Sequence, residues 1–282
     1  MNLIDAHVHL WDPKRLRYPW LEDLEALRRP FLPADYHAAC GPARVSRMVF
    51  VECACDPAQR TEEVAWVTQI ARSEPRLAGI IAQVPLEAGT ATRDELRQLA
   101  GNALVKGIRR ILQGEEDQAL ATRPAFVEGV RSLAQHAFTF DLCVQHSQLP
   151  GAIELVRLCP DTQFVLDHCG KPAIRDRQLD PWRKQIRDLA ELPNVACKLS
   201  GLPGEADPGT WTNKDLKPYV DHVLESFGPD RVLFAGDWPV CTLAHGSLPG
   251  WLEALQELTA GQTAEERAKL FSRNASRIYR LT

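Results

Sequence analysis

Apolar residues recur along this chain in short runs separated by longer amphipathic stretches. The first run begins at Ile4 and alternates side chains with period 2, which sends His7 and His9 to one face of a strand, side by side. Further runs at 45–51 (VSRMVFV), 77–84 (LAGIIAQV), 104–108, 138–144 (FTFDLCV), 163–166, 195–199 and 231–235 read as buried strands. Between them lie helical patterns: 57–73 with Val64, Val67 and Ile70 in register, 92–100, 124–135, 150–158, 181–192 and 215–226, then two closing helices at 249–258 and 264–271. Eight strand-then-helix units without a composition break predict one α/β domain over residues 1–282, a single (β/α)8 TIM barrel in which some distortion is allowed. Two βα connections are extended. Residues 11–33, rich in Trp, Pro and Arg, are too many for an ordinary connection and are expected to form an ordered lid or wall over the site, and 202–213 is a second long segment.

Composition narrows the class of partner. A chain of 282 residues, 45% hydrophobic and 25% charged, can bury one large core, and its net charge of -4 leaves no basic footprint for nucleic acid. No apolar stretch approaches a membrane span, so a small molecule is the expected partner, and homo-oligomerisation is left open. The eight cysteines are scattered through apolar segments, with no signal peptide ahead of the first strand, so reduced thiols in a cytoplasmic protein are expected. Cys53 and Cys55 lack a second pair that would make them a soft-metal site.

A barrel of this kind carries its chemistry at the C-terminal ends of its strands. That rule selects His7 and His9, Glu52, Arg109, His146, His168, Lys198 and Asp237, so four of the eight histidines and a closing acid fall on strand ends. Imidazoles converging there can hold a divalent metal or polarise an oxygen. Each residue also has a plainer reading. Asp237 could cap a following helix, Lys198 could be an internal ion-pair partner, Glu52 could only neutralise Arg109 or Lys198, and His146 could lie beyond the rim. Arg110, His136, His222 and His245 are read as surface or packing residues.

Four motifs carry a resemblance: His-x-His-x-Trp at 7–11, Asp-His-Cys-Gly-Lys-Pro at 167–172, Lys-Leu-Ser-Gly at 198–201 and Gly-Asp-Trp-Pro-Val-Cys at 236–241. Together they resemble the amidohydrolase superfamily, and within it the sugar-acid lactonase branch of L-fuconolactonases and L-rhamnonolactonases. The resemblance implies a hydrolase of sugar catabolism that opens an aldonolactone to the free acid. It makes His7 and His9 a metal or carbonyl-polarising pair, His168 the later-strand histidine, and Asp237 the residue that takes a proton from water and can share in holding a metal. No bridging lysine or glutamate closes strand four, where Lys106 precedes Gly107 and Arg109, so a two-metal centre is not expected; one divalent ion, zinc before others, or none remains. Opening a cyclic ester needs a deprotonated water, charge drawn onto the carbonyl oxygen and a proton for the leaving ring oxygen. Asp237 would serve the first and third needs and the histidines the second. Arg109, Lys198, Glu52, His146, Gln113, Trp11 and Trp238 would complete the substrate pocket. The alternative is a metal-dependent decarboxylase of the same superfamily; a barrel that binds a ligand without turning it over is the third reading.

Overall fold

The computed structural model describes residues 2–207, 209–244 and 246–281. Its eight strands form one sheet in chain order, every neighbouring pair parallel: β1 (Leu3–Val8), β2 (Val45–Val51), β3 (Leu77–Gln83), β4 (Val105–Arg109), β5 (Thr139–Leu142), β6 (Gln163–Leu166), β7 (Val195–Leu199) and β8 (Val232–Phe234). Helices α1 (Pro33–Ala39), α2 (Arg60–Ala71), α3 (Thr90–Ala100), α4 (Pro124–Ser132), α5 (Leu149–Leu158), α6 (Trp182–Ala190), α7 (Leu202–Glu205) and α8 (Asn213–Phe227) connect them, and α9 (Leu248–Leu258), α10 (Ala264–Ala268) and α11 (Asn274–Ile278) close the chain. The strand and helix positions follow the expected pattern; α1, α7 and α11 are the helices that the periodicity did not reveal. This is the expected (β/α)8 barrel, nearly closed. No helix among the described residues is long and apolar enough to cross a membrane.

Strands covered on both faces must be apolar on both, and they are. Met48, Phe50, Ile80, Ile108, Phe140, Phe164 and Phe234 pack outward against the helices. Ile4, Ala6, Val49, Val51, Ile81, Val165, Ala196 and Leu233 pack inward, and Ile278, Tyr279 and Leu281 from the end of the chain join them. The closing segment is also where the barrel departs from regularity. It packs against both β1 and β8, whose β-type link among the described residues is one bridge, Val8 to Trp238. Asp5 replaces part of the missing ladder: its carboxylate accepts the Gly236 amide at 2.7 Å and the Tyr36 hydroxyl at 2.9 Å.

Strict alternation would set His7 with Asp5 on the face opposite Ile4 and Ala6. The pairing of Asp5 with Met48 and Val8 with Phe50 shows why it does not, since β1 advances three residues while β2 advances two. This bulge re-aims the side chain, as bulges near sites do, and turns His7 into the barrel. The connection after β1 is ordered, with Trp11 packed edge-on against Trp20 and Phe31. All eight cysteines are free thiols.

Candidate active site

Above the apolar floor lies a layer of buried charge. Lys198 on β7 is fully buried, and its ammonium meets Asp141 of β5 at 2.5 Å, Asp167 at 2.9 Å and His7 Nδ1 at 3.1 Å. Burial alone would lower the Lys198 pKa; Asp141 and Asp167 outweigh it and keep the ammonium charged. Tyr279, rising from the closing segment, donates to Asp141 at 2.9 Å. Beside this group Arg109 donates to the Glu52 carboxylate and to its backbone carbonyl, each at 2.6 Å, and to Asp167 at 3.2 Å. Buried charges persist only when paired, and these pairs supply the partners.

The imidazoles stand on this layer. His9 Nδ1 donates to the Val51 carbonyl at 2.8 Å, which leaves its Nε2 as a lone pair 3.1 Å from His7 Nε2. His168, following β6, sets Nδ1 2.8 Å from the Ser200 hydroxyl. Asp237, following β8, brings Oδ1 to 3.7 Å from His7 Nε2, 3.5 Å from His9 Nε2 and 3.9 Å from His168 Nε2. Burial, with Lys198 adding, pushes the His7 pKa well down; burial also lowers His168, to about 4, with Lys171 and Lys198 adding. His7 and His168 are therefore neutral near pH 7, as metal ligands must be. Burial alone would raise the Asp237 carboxyl, but the neighbouring imidazoles, His168 first, hold it below the usual carboxylate range.

Donor atoms of His7, His168 and Asp237 lie within 4.8 Å of one another, and His9 Nε2 adjoins them. Three nitrogens and one carboxylate oxygen are a donor set that suits a single zinc-like ion. A cavity of about 220 Å³ opens onto His168 and Asp237, walled by Trp211, Val240, Leu243 and Trp251.

The other expected contacts lie elsewhere. Trp11 is buried with its indole donating to the Leu27 and Arg29 carbonyls, and Trp238 packs on Phe31 and Tyr36; neither lines the cavity. Glu52 and Lys198 are buried beneath it, engaged by protein partners. Gln113 approaches Cys143 at 3.7 Å, and His146 Nδ1 donates to the Lys171 carbonyl at 2.9 Å. Both stand outside the cavity lining. His245 lies outside the described residues. The sequence reading gave no role to Asp5, Asp141, Asp167, Lys171, Ser200, Glu205 or Tyr279. Asp141 inside FTFDLCV had a usable signal, because an acid in an otherwise apolar strand must find a cation.

Comparison with known proteins gives the family. The family profile described as Amidohydrolase matches residues 4–281. An L-fucono-1,5-lactonase of Burkholderia multivorans is 32% identical over 99% of this chain and 96% of its own. An L-rhamnono-gamma-lactonase of Scheffersomyces stipitis is 24% identical over 73% of this chain and 69% of its own. A crystal structure of an amidohydrolase from Burkholderia multivorans with bound zinc superposes with a TM-score of 0.88 at 31% identity, covering 100% of both chains.

Proposed function

The chain belongs to the amidohydrolase family, and from that premise we propose that it is a lactonase hydrolysing a sugar-derived aldonolactone, such as an L-fucono- or L-rhamnono-lactone, to the free sugar acid. The observation that carries this reading is the Asp237 carboxylate standing 3.5–3.9 Å from three buried imidazoles, those of His9 and His168 each packed against His7, with Asp237 and His168 opening onto the cavity.

Asp237 takes a proton from water, and the water oxygen forms a bond to the lactone carbonyl carbon. The imidazoles of His7 and His168, with the Arg109 guanidinium 3.4 Å from His7 Nε2, face the charge that develops on the carbonyl oxygen, while the His9 Nε2 lone pair is free to ligate an ion. As the bond from carbon to ring oxygen breaks, Asp237 returns its proton to the departing alkoxide. The product is one open-chain acid, which ionises in neutral solution. Lys198 and Asp167 act through His7, fixing its ring from behind.

His7, His9, His168 and Asp237 would hold a divalent ion, zinc by the character of the donors. Bound there, it supplies Lewis acidity toward the carbonyl and a more acidic water. The free, mostly buried thiols fit a cytoplasmic setting. The reading is tested by proton release from a panel of sugar lactones at constant pH, with metal content measured on the same sample. Acceleration over spontaneous opening supports it. Carbon dioxide release from aromatic acids, without lactone opening, would replace it with the decarboxylase.

A further inference from the structure

Four consecutive residues, His168, Cys169, Gly170 and Lys171, have φ of +51°, +54°, +68° and +50°. For a residue with a Cβ this left-handed conformation costs about 1–2 kcal/mol, so three such residues in one turn need strong support. His146 supplies part of it through the Lys171 carbonyl, and Trp182 donates to the Cys169 carbonyl at 2.8 Å. In so tight a turn residues three apart share a side, and His168 and Lys171 both face the cavity.

Glu205, the last residue of α7, is half-buried and lines the same cavity. Its backbone is held by the Arg175 amide, which donates to its carbonyl at 2.9 Å. Burial raises its carboxyl, while Lys171, His146 and Arg175 pull the other way. Lys171 and Glu205 thus line one cavity within electrostatic reach of each other, and among the described residues neither closes an ion pair. Trp211, Val240, Leu243, Ala244 and Trp251 form an apolar wall. A cationic donor and an anionic acceptor, apart and facing one ring-sized space, suit a group that both gives and accepts hydrogen bonds.

We propose that Lys171 and Glu205 are the specificity-determining pair of this site, reading adjacent ring hydroxyls of the substrate that Asp237 acts on. The proposal deepens the lactonase reading and rests on it. A site built to bind hydroxyls discriminates strongly against a ring that lacks them.

The test compares kcat/KM for L-fucono-1,5-lactone with that for unsubstituted δ-valerolactone, in wild type, Lys171→Met and Glu205→Gln. The ratio should fall at least tenfold in each variant, and a ratio within twofold of wild type would overturn the proposal. Calorimetric binding of the matching hydroxylated and unsubstituted 1,5-lactams gives the same ratio without turnover. If wild type opens no lactone of the sugar-lactone panel, the lactonase reading fails, and the lactam ratio still decides for or against the pair.

Discussion

The Lys198 ammonium stands 3.1 Å from Nδ1 of His7, bridging two buried aspartates to the ring that faces the reacting centre. The relationship ties the stability of the barrel interior to the geometry of its mouth.

Replacing Lys198 with Met leaves Asp141 and Asp167 buried without their shared cation. Breaking a buried pair in this way costs about 3–5 kcal/mol. Tyr279→Phe removes one hydrogen bond to Asp141 and should cost about 1–2 kcal/mol. Denaturant unfolding of the two variants checks both magnitudes, and a Lys198→Met loss below that of Tyr279→Phe would contradict the charge layer.

Acid should weaken the fold through His168. Its pKa is lowered to about 4 from an ordinary 6.5, so the unfolded chain binds the proton more readily. Its contribution is complete above pH 6.5 and is lost as pH falls through 4, amounting to roughly 3 kcal/mol. Asp5 and Asp141 are raised to about 6 and act in the opposite sense, gaining stability as pH falls. The informative quantity is therefore the stability difference between wild type and His168→Asn. That difference should move against wild type by roughly 3 kcal/mol between pH 7 and pH 4; a pH-independent difference would mean that His168 is not buried neutral.

Gly201 has φ +70°, and a Cβ there would meet His168 Cβ at 2.8 Å. Gly201→Ala should lower stability by about 1–2 kcal/mol from backbone strain alone and displace the His168 ring. Lactone turnover should drop more than tenfold in a protein that remains folded by circular dichroism, and unchanged turnover would show that His168 need not stay where it is.

The barrel was legible because strands buried on both faces become unbroken apolar runs, as in VSRMVFV and LAGIIAQV, and because those runs alternate with helical periods. The strand-end rule likewise brought His7, His9, His168 and Asp237 to one place. What stayed hidden depends on local departures from regularity. The inward turn of His7 follows from a bulge that no residue type announces. Lys171 reaches the cavity only through a left-handed turn, and Glu205 sits on a four-residue helix too short to leave a periodic trace. Trp11 is expected to complete the pocket, whereas its indole hydrogen bonds to the Leu27 and Arg29 carbonyls hold it outside the cavity lining.

The central claim is that Asp237 carries the proton in lactone opening. Constant-pH titration of L-fucono-1,5-lactone hydrolysis by wild type and Asp237→Asn, at matched metal content, measures it directly. Wild type should accelerate opening well above the spontaneous rate, and the variant should lose about 10²–10⁴-fold in kcat while remaining folded. Equal rates in the two proteins, or no acceleration by wild type, would contradict the account.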